Sequence, residues 1–144
     1  MTEQQNTESG QAQNNAAAHY KSQPGLRRLG PALRYSWQGL RATWRTESAF
    51  RQELAIGLPL MILAWVIEPD RWRALLLSAV IVLVWVVELL NTSLESLCDR
   101  ITTERDPAIK AAKDAGSAAV FLSLLIAIAC WGLWIFERFR DALT

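Results

Sequence analysis

The sequence predicts an all-α membrane protein, with an N-terminal amphipathic surface helix followed by three transmembrane helices. Three observations carry that prediction. Large apolar side chains are nearly missing from residues 1–25 and abundant in the rest of the chain. Three apolar stretches follow, of which Ala115–Phe136 runs for 22 residues without a charge, and about 20 residues of helix cross a hydrocarbon core. Upstream, Leu33, Trp37, Leu40 and Trp44 recur at helical spacing with Arg34, Arg41 and Arg45 on the flank of their stripe, the pattern of a helix lying in the membrane interface.

Residues 1–25 are rich in Gln, Asn, Ser, Thr and Ala. They bury too little apolar surface to offset chain entropy, which predicts a disordered polar tail. The tail lacks the apolar core of a secretory signal, and it holds His19, the only histidine. The membrane domain is expected over 26–144, beginning with the surface helix at 31–46.

The first span is expected at 49–67. Its uncharged part, Leu54–Ile67, has only 14 residues, so the turn before it is needed to reach across. Pro59 within it is tolerable where neighbouring groups satisfy the carbonyl it frees. The second span is expected at 72–98, uncharged from Ala74 to Val87 and helical beyond. The third is expected at 114–137. Glu68-Pro69-Asp70 reads as a short turn, and Asp99–Lys113 as a longer polar connection broken at Asp106-Pro107. Seven Trp occur in the chain, several near the ends of apolar runs, where interfacial anchoring accounts for them.

Lys and Arg number seven in residues 21–51 and four in 99–113, against two in 68–73 and two at the C-terminal end. The positive-inside rule then puts the N-terminus and the second connection in the cytoplasm. A net charge of +1 argues against nucleic acid as a partner. No GxxxxGK[ST], GxGxxG, HRD or DFG occurs, which excludes soluble kinases and phosphate-loop enzymes. Without His and Cys clusters, zinc and haem chemistry are excluded too. Cys98 and Cys130 read as buried thiols, not as a disulfide.

The chemistry is concentrated in the second apolar segment. Glu88, Asn91, Glu95 and Asp99 stand at i, i+3, i+7 and i+11, within an arc of roughly 80° on an α-helix. A carboxylate after a long uncharged run is expensive near lipid, so its default reading is functional. The bland alternative is a stripe that pairs with basic groups and glues helices together. Glu47, Lys113 and Asp114 approach the same boundary. Several carboxylates and a Lys suit Mg-nucleotide, because Mg²⁺ takes one or two hard oxygens plus phosphate while Lys offsets phosphate charge. Taken alone, Glu47 also fits a helix cap.

The run Glu88-Leu-Leu-Asn91-Thr-Ser-Leu-Glu95, then Cys98-Asp99-Arg100 and Lys113-Asp114-Ala-Gly116-Ser117-Ala118-Ala119, resembles the signature of prokaryotic diacylglycerol kinases. Tyr35-Ser36-Trp37-Gln38-Gly39-Leu40-Arg41-Ala42 and Glu47-Ser-Ala-Phe50-Arg51-Gln52-Glu53 match the N-terminal part of that pattern, and the resemblance spans roughly residues 27–136. It implies a homotrimer of three-span subunits in the bacterial inner membrane, with active sites shared between neighbours. It implies ATP-dependent phosphorylation of the primary hydroxyl of diacylglycerol, giving phosphatidic acid.

Under the same resemblance Glu88 is the catalytic base, and Glu47 and Glu95 hold Mg²⁺. Arg28, Tyr35, Glu47, Asn91, Glu95, Asp99, Glu104, Arg105, Asp106, Lys113 and Asp114 fall at the ATP site. Ser36, Trp37, Arg41, Trp44, Ala49, Phe50, Arg51, Glu53, Glu88 and Ser117 fall along the lipid-substrate cleft. The same residues would serve an undecaprenol kinase of this fold. A non-enzymatic membrane subunit is the reading from another class, and it requires no turnover of Mg-ATP.

Overall fold

The computed structural model describes residues 29–101 and 106–143, and every regular element among them is a helix. The expected polar tail at 1–25 lies outside the described residues. Helix α1 is Leu29–Thr46, α2 is Ser48–Ile67, α3 is Arg71–Ile101 and α4 is Pro107–Leu143. The chain divides into two compact units between Leu40 and Arg41. In the first, the described residues are the opening turns of α1, with Leu33 and Trp37 exposed. The second holds the end of α1 and all three long helices.

Helices α2, α3 and α4 are each long and apolar enough to cross a membrane. At 1.5 Å per residue, the 31 residues of α3 and the 37 of α4 span about 46 and 55 Å. A hydrocarbon core of about 30 Å leaves both with ends in the aqueous boundary. The polar stretch expected as a loop over 99–113 is therefore largely helical. Asp106 and Pro107 explain the restart. Asp106 Oδ1 accepts the Ala108 N–H at 2.7 Å and the Ile109 N–H at 3.3 Å, and Pro at the first helical position lacks an N–H that would otherwise go unpaired.

Helix α3 is the middle of the bundle. Among the described residues the backbones of α2 and α4 each run close to α3, while α2 and α4 meet one another through side chains such as Arg138. A core of Ala64, Leu77, Ile81, Trp131 and Trp134 joins the three helices at the end nearer the α2–α3 turn. Trp131 and Trp134 meet edge to face, with ring centroids 5.5 Å apart. Two of the tryptophans expected at the interface are thus core residues. Their indole N–H groups would be costly in lipid without partners, and both have one. Trp131 Nε1 donates to the Leu77 carbonyl at 3.2 Å, and Trp134 Nε1 donates to Glu68 Oε2 at 2.6 Å. Trp72, at the start of α3, is 79% exposed. Of the two thiols, Cys98 is buried and Cys130 half-buried, and both are free.

The α2–α3 turn is built around Glu68, which is only 5% exposed. Its Oε1 accepts the Asp70 N–H at 3.0 Å, and Asp70 Oδ1 in turn accepts the Trp72 N–H at 2.9 Å to cap α3. Arg138 of α4 lies 3.8 Å from Glu68 Oε2 and donates to the Ile67 carbonyl at 2.7 Å. One carboxylate therefore ties the turn to the far end of α4. The Trp134 indole and the Asp70 N–H, with Arg138 and Arg73 beyond them, hold the Glu68 carboxyl below its ordinary value of 4.5 against the opposing effect of burial.

A carboxyl depressed on folding stabilises the fold fully above its unfolded value and loses that contribution as pH falls through its folded value. Thermal unfolding in detergent micelles, followed by Trp fluorescence, is therefore expected to drop more steeply once pH falls below 4.5. Glu68→Gln is expected to melt several degrees lower at neutral pH and to lack that acid-linked component; parallel pH profiles for the two proteins would remove Glu68 from the clasp.

Candidate active site

The polar stripe of α3 runs from the packed interior to the surface. Glu88 is 5% exposed, Asn91 and Glu95 are half-buried, and Asp99 is exposed. Asn91 Nδ2 donates to Glu95 Oε1 at 3.1 Å, as the i, i+4 spacing allows. Lys113 of α4 forms an ion pair with Asp99, and Asp114 pairs with Lys110 one turn before it on the same helix. The outer end of the stripe is thus tied to α4 by charge.

Its inner end is different. Among the described residues no Lys or Arg reaches ion-pair distance of Glu47, Glu88 or Glu95. Instead Glu88 feels the negative charge of Glu47 and Glu95, and Glu53 of α2 feels that of Glu88. The helix-glue reading holds for Asp99 and fails for Glu88. Two further acceptors at this level, Glu53 Oε2 and Asn91 Oδ1, are buried without a hydrogen-bond partner. A cluster with acceptors in excess and no cation of its own fits a divalent ion brought with phosphate. No group of three metal-ligating side chains closes around one point among the described residues. Mg²⁺ needs only one or two carboxylates here if phosphate and water complete its shell.

Glu47 sits in extended backbone between α1 and α2, at the N-cap of α2, yet its carboxylate makes no cap hydrogen bond. The cap reading therefore does not account for its side chain. What holds the junction is Arg51, whose Nη1 donates to the carbonyls of Trp44 at 3.0 Å and Arg45 at 3.4 Å. These are terminal carbonyls of α1 that lack a partner within the helix.

Of the lipid-cleft residues, Ala49 and Glu53 line a groove of about 440 Å³ between α2 and α4, floored by α3. Its wall is apolar, with Ile56, Trp85 and Leu124 among the lining side chains, and Gln52 and Glu53 form its polar end. Phe50 is buried and supports the junction from inside, while Arg41, Trp44 and Ser117 are exposed. Tyr35, Ser36 and Trp37 belong to the separate N-terminal unit and are exposed there. Asp106 is engaged as the cap of α4. Arg28, Glu104 and Arg105 lie outside the described residues.

Gly57 is a point of close helix approach, since an added Cβ would lie 2.7 Å from Ile81 and 2.8 Å from Trp85, whereas Gly39 and Gly132 face open space. Gly116 is a second such point. A Cβ there would overlap Asn91 Oδ1 and come within 3.1 Å of Leu94 Cδ2, so the bare position leaves room for the Asn91 amide where α4 meets the polar stripe. The signal was available in the sequence, because Gly116 follows Lys113 and Asp114 by less than one turn.

The profile described as prokaryotic diacylglycerol kinase matches residues 34–135, which take in the whole stripe, all of α2 and most of α4. The chain belongs to the prokaryotic diacylglycerol kinase family. It is 41% identical over 116 residues to the protein named diacylglycerol kinase of Escherichia coli (strain K12), covering 80% of this chain and 94% of the other. It is 40% identical over 112 residues to the diacylglycerol kinase of Pseudomonas aeruginosa, covering 78% and 91%. The diacylglycerol kinase of Helicobacter pylori (strain 26695) is 39% identical over 113 residues, covering 77% and 87%. The family pattern and the charge cluster thus coincide on α3.

Removing Arg51 is expected to loosen the α1–α2 junction without touching the stripe. In micelles, a Glu-specific protease should cut after Glu47 about tenfold faster in Arg51→Gln, because two carbonyl hydrogen bonds no longer hold the backbone there. An unchanged cleavage rate, read by mass spectrometry, would show that the junction is held by something else.

Proposed function

We propose that this protein phosphorylates the primary hydroxyl of diacylglycerol with Mg-ATP, producing phosphatidic acid at the cytoplasmic face of the bacterial inner membrane. The observation that carries the reading is Glu88, buried on an apolar helix without a cation and within the charge field of Glu47 and Glu95. The names of the relatives favour diacylglycerol over undecaprenol as acceptor.

Glu88 accepts the proton of the lipid hydroxyl as its oxygen attacks the γ-phosphorus. The bond from that phosphorus to the β–γ bridging oxygen breaks, and ADP leaves with the electron pair. Phosphoryl transfer asks little covalent work of a protein, so positioning and charge neutralisation dominate. Mg²⁺, when bound with the nucleotide through Glu47 and Glu95, neutralises phosphate charge. Asn91 steadies Glu95 through its amide, and Lys113, placed beside the stripe by Asp99, offsets charge on the phosphates. The apolar groove ending at Gln52 and Glu53 suits an acyl chain whose hydroxyl rests near Glu88. Water delivers one substrate and the bilayer the other.

The excess of Lys and Arg before residue 52 and in 99–113 supports an orientation with the N-terminus and the α3–α4 connection in the cytoplasm. The working form we propose is a homotrimer with active sites shared between neighbours. In a single subunit the groove between α2 and α4 is open, which leaves room for a neighbour's contribution.

The test is Mg-ATP turnover by the purified protein in mixed micelles, with dioleoylglycerol and undecaprenol run side by side. Turnover of dioleoylglycerol is expected, and preference for undecaprenol would keep the site while moving the substrate. Glu88→Gln is expected to lower kcat at least a thousandfold, roughly the scale of general-base and positioning effects together, with the fold intact. Glu47→Gln and Glu95→Gln are expected to raise the Mg-ATP requirement more than the diacylglycerol KM. A Glu88→Gln protein at wild-type rate would sink the base assignment.

A further inference from the structure

Gly116 takes no part in the reaction just described, yet three observations connect it to that site. A Cβ at this position would overlap Asn91 Oδ1. That same oxygen is buried with no hydrogen-bond partner. The other end of the amide, Nδ2, donates to Glu95 Oε1 at 3.1 Å. The bond to Glu95 fixes which way the amide faces, and the bare Gly116 gives its oxygen a place to lie.

We propose that Gly116 is a positioning residue for the nucleotide side of the site, holding the Asn91 amide, and through it the Glu95 carboxylate, by leaving the space of one Cβ empty. The inference rests on the reading that Asn91 and Glu95 serve Mg-ATP. Backbone rigidity favours it. Gly116 lies in the continuous helix Pro107–Leu143 and shows no positive φ, so glycine is not required there for conformation. Ala is also the better helix former by up to about 1 kcal/mol. What Ala would displace is the end of a side chain with two rotatable bonds, while Leu94 yields by a small rotation. The amide is therefore the part that moves, and the helices keep their approach.

The experiment is Gly116→Ala in the full-length chain, assayed in the same mixed micelles with Mg-ATP and dioleoylglycerol varied separately. The KM for Mg-ATP is expected to rise about tenfold, the scale of losing one hydrogen bond to a charged group, with the dioleoylglycerol KM unchanged and the melt still cooperative. A thermal double-mutant cycle supplies the second readout. Gly116→Ala should lower Tm when Asn91 is present and have no such effect in an Asn91→Ala background, where no amide is in the way. If Gly116→Ala alone fails to fold, the double variant is expected to fold. Equal losses in both KM values, an unchanged Mg-ATP KM, additive Tm changes, or a double variant as unfolded as the single one would each overturn the proposal. Loss of Glu88 dependence would instead overturn the kinase reading, so the two failures are distinguishable.

Discussion

Burying a carboxylate on an apolar helix is the constraint around which this bundle is organised. Ionised carboxylates resist transfer out of water unless paired or hydrogen-bonded. Among the described residues two such Glu are less than one tenth exposed, Glu68 and Glu88, and they are treated in opposite ways. Glu68 receives an indole N–H, a backbone N–H and a guanidinium. Each carboxylate oxygen accepts one hydrogen bond, and the result is a clasp between the α2–α3 turn and the end of α4. Glu88 is surrounded by other carboxylates. An acidic cluster of this kind is what the proposed role of Glu88 as a base requires.

The two ends of the bundle accordingly do different work. At the clasp end, Trp131 and Trp134 fill the space between helices and their N–H groups are satisfied internally. Because lipid tails are as apolar as the side chains, helix association in a bilayer draws on packing and hydrogen bonds more than on burial. The clasp supplies both. At the other end Glu53 of α2 and Asn91 of the stripe carry unpartnered acceptors, which lower stability there. A well-packed end offsets a site that violates the ordinary rules of burial.

The sequence made the three spans legible because membrane thickness is written directly into uncharged run length. Ala115–Phe136 needed no partner to be recognised. The stripe was legible for a similar reason, since Glu88, Asn91, Glu95 and Asp99 share a face whatever surrounds the helix. Features that depend on a neighbour were not legible. Charge along 99–113 suggested a loop, but caps and helix length decide where α3 stops and α4 starts, and Asp106 with Pro107 restarts the helix early. Periodicity could not say which tryptophans turn inward, because Trp131 and Trp134 are defined by Leu77 and Glu68 across the bundle. Glu47 occupies a cap position by sequence, yet Arg51 does the work of closing that junction.

Glycine illustrates the same limit most sharply and also shows how the site is assembled. Gly39 and Gly132 face open space, whereas Gly57 admits Ile81 and Trp85, and Gly116 admits Asn91 and Leu94. No property of the glycines themselves separates these pairs; the helix opposite does. Both close approaches are made onto α3, one from each flanking helix. A helix approached on two sides cannot turn about its own axis without driving Trp85 or Asn91 into its neighbours. That restraint fixes the direction of the polar stripe, so Glu88 and Glu95 stay where one substrate can arrive from water and the other from the bilayer.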